Sequence, residues 1–482
     1  MRNFGGNVEI QATTVLQPAD EQEVLQFLKT YRDRPIRAIG SGHSWSQVVA
    51  AGDDIVVLDM RRMNGIRWVR DSDGTEGAEI EPGCTIEAAL DYLEQSGLTL
   101  PTIGMIGKQT IAGAIATATH GSGRPSLSHY ASAIRAATYS GKENDVQVCD
   151  WRDGDELRAA RCGLGCIGIL TGVRFPVVPE YLIEERTAWY EHIEDVLDKA
   201  DAYPRQQFYL VPHCWRWFAQ HRQPFSPDPC ESWVGRAVHR FRARLQRNAR
   251  YLAFDWWFNG RLSKASRQQR WERVKFLQRR VFPLLTWLGT HTVDVSRHVL
   301  MMHHELYRHV EMELFVPAAR VVEAAAFVEW VLRRCAGESA VRPAGLDLTS
   351  DEEATVNSLG GKYFHDQAVT FRKVLPDETL ISMTSGATQA WYAISLETYQ
   401  SELTPFQDMA GFVARTLVSK YRARPHWGKL CPLEPEQIAG LYPGLTEFRK
   451  VCESVDPQGM FQNEFTAAIV GGPAVSRLAQ PA

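Results

Sequence analysis

The chain has 482 residues, of which 44% are hydrophobic and 23% charged, with a formal net charge of −4. That length exceeds one ordinary core and predicts two or three domains, and the composition excludes a disordered, collagen-like or low-complexity protein. No apolar run reaches the ~20 residues that span a bilayer.

Asp20 with Glu23 three residues on predicts the start of a helix over 21–28. Ile36–Ile39 reads as a strand running into Gly40-Ser41-Gly42-His43-Ser44. Further strands are expected over 54–59 and 78–84, and Thr85 is placed to cap a helix over 86–96. Strands follow over 133–139 and 167–175. Alternating helix and strand marks an α/β or α+β domain. Composition shifts near residue 180 toward tryptophan, arginine and helical patterning, so the first domain is expected to span 1–180.

Met1–Gly6 carries no apolar signal-peptide core. Nine cysteines without a CxxC pair fit reduced thiols. The expectation is a cytoplasmic protein. Cys162 and Cys166 lie four apart with no second pair or nearby histidine, so they read as structural and no metal site is predicted.

Gly40-Ser41-Gly42 allows close approach of backbone N–H groups to phosphate oxygens, although an ordinary turn is the commoner meaning of an isolated GxG. No dinucleotide fingerprint or P-loop is present. A second loop concentrates Thr110, Gly113, Thr117, Thr119, His120, Gly121, Ser122 and Gly123. Backbone of this kind suits wrapping a large polar cofactor. Near the end stands Arg424-Pro425-His426-Trp427-Gly428-Lys429.

In this order and spacing, the three motifs resemble the vanillyl-alcohol oxidase superfamily of FAD-binding PCMH-type flavoproteins, in its aldonolactone and alditol oxidase branch. The resemblance is good over 4–180, moderate over 365–466 and poor between. It implies an α+β, two-domain fold: an FAD domain, an antiparallel-sheet substrate domain over 181–424, and a segment over 425–482 that returns to the flavin. It implies FAD held by Gly40, Ser41, Gly42, His43, Ser44, Gly107, Thr110, Gly113, Thr117, Thr119, His120, Gly121, Ser122, Ile169, Lys429 and Asn463.

By the same resemblance His43 is the covalent attachment point, through the flavin's 8α-methyl carbon. The loop over 101–123 has no cysteine for a second link. Lys429 is expected to stabilise negative charge on the reduced ring, with His426 and Arg372 completing the catalytic set. The implied activity is oxidation of a CH–OH group in a sugar, sugar lactone, polyol or sugar-containing metabolite, with O₂ reoxidising the flavin to give H₂O₂. A dehydrogenase passing electrons to a quinone or protein, and a binding module without catalysis, are the alternatives.

Two features depart from that pattern. The branch carries a Glu-X-Arg pair on one strand face, and here the glutamate position is Thr370, two residues before Arg372. Either Glu311 or Glu313 replaces it, or the substrate is not a simple polyol or lactone. The second departure is a helical insertion at about 225–300. Between Gly235 and Arg280 it carries fourteen Lys/Arg against two acids. Arg236, Arg240, Arg244 and Arg247 share one helical face. A solvated helix pair with core tryptophans, a cover over the active site, and a docking surface for a membrane or protein are the readings of this insertion. No nucleic-acid-binding module is present.

Overall fold

A computed structural model describes residues 1–50, 52, 54–70, 74–141, 143–226, 233–302 and 306–471. The expected elements form, with small shifts in their ends. Asp20 caps the helix Glu21–Thr30 by accepting from Glu23 N, while the Glu23 carboxylate takes Ala19 N. Thr85 caps Ile86–Glu94 through Ala88 N. The strand expected over 54–59 is Val56–Asp59, and that over 167–175 begins at Ile169.

The first part of the chain builds two layers. Thr14–Leu16, Val56–Asp59 and Ile36–Ile39 form a parallel three-stranded sheet. Five antiparallel strands follow in the order Ile66–Arg70, Glu76–Ile80, Ile169–Pro176, Ala133–Ser140, Asp145–Trp151. Val24 and Leu28 of the first helix are fully buried in one core with Ile36, Val56, Leu58, Tyr139 and Ile169.

The second part is one eight-stranded antiparallel sheet, in the order His291–Val295, Leu182–Tyr190, Arg216–Phe225, Gln207–Val211, Val369–Val374, Trp391–Thr398, Val310–Pro317, Arg424–Pro425. Helices Val321–Cys335 and Thr404–Tyr421 pack on each other and on Val310–Pro317. Both bury near-continuous apolar faces, including Phe327, Val331, Phe412 and Leu417. The last segment crosses back to the first part. Leu445–Val455 packs against Gly154–Ala160 and Ala133–Ser140, and Glu464–Val470 against Gln47–Val49. The end of the expected third segment, 472–482, and residues 227–232 of the expected insertion lie outside the described residues.

The insertion enters between the strands Arg216–Phe225 and His291–Val295. Its helix Trp233–Arg250 continues into π-helical turns over Tyr251–Phe258, and a second π stretch spans Leu277–Val281. Phe258, Leu262, Val274 and Leu277 form a small separate core with Tyr399 of the main sheet, against which Trp257 and Trp271 pack. Trp256 and Trp287 instead stand in solvent, so the tryptophans divide between core and surface. Among the described residues, no helix is long and apolar enough to cross a membrane.

Candidate active site

Three loops distant in sequence meet between the two parts. Strand Ile36–Ile39 delivers the Gly40–Ser44 turn, in which Gly42 takes a φ of +70°. Gly40 lies against the second loop so closely that a Cβ there would sit 2.0 Å from Thr110 Oγ1. The C-terminal loop is bonded to the first: Trp45 N donates to Gly428 O at 2.8 Å, and Ser44 Oγ to the same oxygen at 3.3 Å. A Cβ on Gly428 would lie 3.1 Å from Thr117 Oγ1.

These contacts wall a cleft of about 140 Å³, lined by Gly40, Ser41, Gly42, His43, Ser44, Thr110, Gly113 and Thr117, and closed on its far side by Gly163, Gly165 and Gly168. Gly165 and Gly168 have φ of +74° and +106°, a region open to glycine. His43 Nδ1 lies 3.1 Å from Ser41 Oγ, and its ring stacks on Phe4 with centroids 5.2 Å apart.

Arg37 also lines this cleft and is buried. Its guanidinium donates to the carbonyls of Val48, Leu164, Gly165 and Phe461 at 2.5–3.1 Å. It therefore ties the first loop to the glycines of 163–165 and to the returning C-terminal segment.

A second cavity, of about 410 Å³, lies over the large sheet. Gln109, His426 and Lys429 line both cavities, so the two meet at these three residues. Side chains two apart on a strand share a face, and here three adjacent strands contribute. Glu311 and Glu313 come from Val310–Pro317, Ser395 and Glu397 from Trp391–Thr398, Thr370 and Arg372 from Val369–Val374. Register places Thr370, Ser395 and Glu313 in one row across the sheet, and Glu311 opposite Glu397.

The carboxylate that meets Arg372 comes from Glu313, two strands away. Arg372 Nη2 donates to Glu313 Oε1 at 2.5 Å, and Ser395 Oγ donates to the same oxygen at 2.7 Å. Glu313 Oε2 is buried and makes no hydrogen bond among the described residues. His120 Nε2 is 3.4 Å from Oε1, and His426 Nε2 is 3.9 Å from Oε2. Beside them Lys429 Nζ pairs with Glu311 and sits 4.3 Å from the centre of the Trp45 ring.

The FAD-binding domain family matches residues 12–144, and the D-arabinono-1,4-lactone oxidase family matches residues 173–469. The chain is 38% identical to a long-chain alcohol oxidase of an uncultured marine euryarchaeote, over 97% of this chain and 96% of that one. It belongs to the D-arabinono-1,4-lactone oxidase family. The Mycobacterium tuberculosis L-gulono-1,4-lactone dehydrogenase is 25% identical over 97% of this chain and 98% of its own. The mouse L-gulonolactone oxidase is 23% identical over 93% of each chain. Cholesterol oxidase from B. sterolicum shares the two-domain fold, with a TM-score of 0.74 at 14% identity, covering 97% of this chain and 96% of that one.

The protein is therefore an FAD-dependent oxidoreductase acting on CH–OH donors. The glycine-walled cleft fits that cofactor, because bare backbone along a cavity wall permits close approach of a phosphate-bearing ligand. The dependence on tertiary contacts explains why Gln109, Arg37, the 163–168 glycines and Glu397 escaped the sequence reading. Only Glu311-X-Glu313 carried a sequence signal, its period-two spacing.

Several expected cofactor residues sit elsewhere. Gly107, Thr119 and His120 line the larger cavity, not the glycine cleft. Gly121, Ser122, Ile169 and Asn463 line neither cavity. Gly121 packs on Ile103 O, and Ser122 Oγ donates to Gln206 O at 2.5 Å. Ile169 opens the central strand of the five-stranded sheet, and its side chain is buried in the core beneath the first helix. Asn463 Nδ2 donates to the carbonyls of Gln47, Val48 and Ala50 at 2.9–3.3 Å, which fixes the segment after the first loop.

Charge in the larger cavity is unevenly held. Burial alone would raise the Glu313 pKa, but Arg372, then His120 and His426, outweigh it and hold the carboxyl well below its usual range. Burial drives the His426 pKa well below the ordinary histidine value, so the ring is neutral. Gly428 N donates to His426 Nδ1 at 2.9 Å, which puts the ring proton on Nε2, the atom facing Glu313. Burial, with Glu311 opposite, pushes Glu397 up to about 8. The ligand atoms of His120, Glu313 and His426 lie within 4.8 Å of one another. A cation placed there would face the Arg372 guanidinium.

Proposed function

We propose that this protein oxidises the carbinol carbon of an alcohol bearing a long apolar chain, with O₂ as the electron acceptor. The observation that carries this reading is the two-sided lining of the larger cavity. The sheet contributes Glu311, Glu313, Arg372 and Glu397, while the insertion and the residues after it contribute Phe254, Phe282, Leu285, Leu300, Met301 and Met302 beside polar Gln246, Arg247, Arg250 and Asp294. A hydroxyl end suits the first wall and an alkyl chain the second. The similarity to a long-chain alcohol oxidase supports the same substrate class. A sugar lactone or polyol, the expectation from family resemblance, would leave Phe254, Phe282, Leu285, Leu300, Met301 and Met302 without an apolar partner.

FAD held in the glycine cleft supplies, when bound, the acceptor for the carbinol hydride. The chain's own residues handle the proton and the charge. Glu313 Oε2, ionised and without a hydrogen-bond partner, accepts the hydroxyl proton. Arg372 and Ser395 hold the carboxylate by its other oxygen. His426 Nε2–H orients the substrate oxygen. Lys429, at the meeting point of the cavities, places a fixed positive charge against the cofactor. His43, on the wall of the cleft, is the covalent attachment residue.

Peroxide release by the purified holoenzyme is measured with straight-chain primary alcohols of increasing length, a polyol and an aldonolactone. At ~0.8 kcal/mol per buried methylene, kcat/KM rises about fourfold per carbon until the cavity is full. A polyol or lactone preferred over every alkanol overturns the substrate class. Reduction of a dye without peroxide release overturns the choice of acceptor.

A further inference from the structure

Among the described residues, eight of the fifteen large apolar side chains left in solvent fall between Val238 and Trp287, all on the insertion. The most exposed are Trp287 at 79%, Phe241 at 71%, Leu284 at 69% and Leu245 at 61%. Val238, Phe241 and Leu245 are spaced three and four apart on the helix Trp233–Arg250 and share one face. Exposed Arg242 and Arg244 flank that face on either side. The turn Thr286–Gly289, which carries Trp287, packs against this same helix.

The insertion's local excess of basic residues is set against a chain of net charge −4. Part of that charge is internally paired: Arg247 with Asp294 and Arg250 with Glu185. Arg242, Arg244, Arg261, Lys264, Arg267 and Arg270 remain exposed. Apolar side chains flanked by basic ones that make no ion pair among the described residues match an anionic lipid headgroup layer over acyl chains.

The position of this face adds a second observation. The other side of the same helix, through Gln246, Arg247 and Arg250, roofs the substrate cavity. Met302 both lines that cavity and is 37% exposed, which marks an opening. Tyr307, also a lining residue, donates from its hydroxyl to Trp256 O at 2.7 Å, tying this edge of the cavity to the segment that carries exposed Trp256.

We propose that the outer face of the insertion seats on an anionic lipid bilayer, with the cavity mouth at its edge so that an apolar alcohol enters from the membrane. The route of entry rests on the long-chain substrate reading; the docking itself does not.

The test is sedimentation of the full-length holoenzyme with phosphatidylglycerol and with phosphatidylcholine vesicles, in low and in ~0.5 M salt. The enzyme pellets with phosphatidylglycerol, far less with phosphatidylcholine, and less again in high salt. F241D/L245D lowers the partition coefficient at least about tenfold, and R242E/R244E lowers it on phosphatidylglycerol only. Both variants keep wild-type flavin content and turnover of a soluble short-chain alcohol, because neither pair touches the cavities. Failure to pellet with either vesicle overturns the proposal, as does unchanged pelleting of F241D/L245D. Self-association of the wild type through this face, lost in F241D/L245D, assigns it to a second copy instead. Vesicle binding without oxidation of any long-chain alcohol leaves the surface standing and overturns the substrate reading alone.

Discussion

Arg372 and Glu313 meet at 2.5 Å although their strands are not neighbours. The strand Trp391–Thr398 runs between them, and Ser395 on it bridges the pair, donating to Glu313 at 2.7 Å and accepting from Arg372 at 3.3 Å. The carboxylate and the guanidinium thus come from two strands separated by a third. The pair is buried, so each partner depends on the other for compensation of its charge.

Glu313→Gln removes the proton acceptor while keeping size and polarity. Flavin reduction by substrate slows about 10²–10⁴-fold in stopped-flow absorbance, with flavin content unchanged. A rate within a factor of two of wild type removes Glu313 from the reaction. Arg372→Ala leaves Glu313 unpaired in the interior and destabilises the fold by about 3–5 kcal/mol, read as a lowered Tm.

Lys429 is the cation at the junction of the two cavities. In Lys429→Met the loss of fixed charge beside the cofactor slows reduction about 10²–10³-fold and lowers the flavin midpoint potential. An unchanged potential places the lysine's effect on Glu311 instead.

His43→Ala leaves a folded protein whose flavin is released into the supernatant on acid precipitation, whereas the wild type gives a yellow pellet and an intact mass heavier by one FAD. A colourless wild-type pellet removes the covalent link and leaves the cleft as a noncovalent site.

Glu397 provides the pH dependence. Its folded pKa is raised to about 8, so its contribution to stability is complete below the ordinary carboxyl range and is lost as pH rises through about 8. Above that value it places a new negative charge beside Glu311, opposing Lys429. Tm therefore declines from the ordinary carboxyl range up to about 8, and activity declines as pH rises through about 8. In Glu397→Gln both declines are shallower. Coincident wild-type and variant profiles assign the limb to another group.

Arg37 donates to four carbonyls from three separate segments. Arg37→Met strands these acceptors, at about 1–3 kcal/mol for each left buried and unsatisfied. Flavin content after gel filtration falls together with Tm. Retention of flavin at a wild-type Tm shows that the loops hold the cleft without it.

Features set by local chemistry were legible in the chain. Asp20 and Thr85 start helices because their side chains take the free N–H groups of the first turn, and that requirement is met within four residues. The Gly40–Ser44 turn, the Thr110–Thr117 loop and His426–Lys429 were legible as a set, and they do converge on one cleft. What converges with them was decided only by the tertiary structure. Glu313 reaches Arg372 because antiparallel register sets Glu313, Ser395 and Thr370 in one row across three strands, and pairing register depends on the whole sheet rather than on any one strand. Asn463 and Ser122 read as cofactor residues by position, yet their hydrogen bonds go to backbone carbonyls elsewhere. The sequence likewise carried the insertion's charge and its tryptophans. Which of them enter the core and which face water followed from Tyr399 and the sheet beneath, since burial is a property of what the chain packs against.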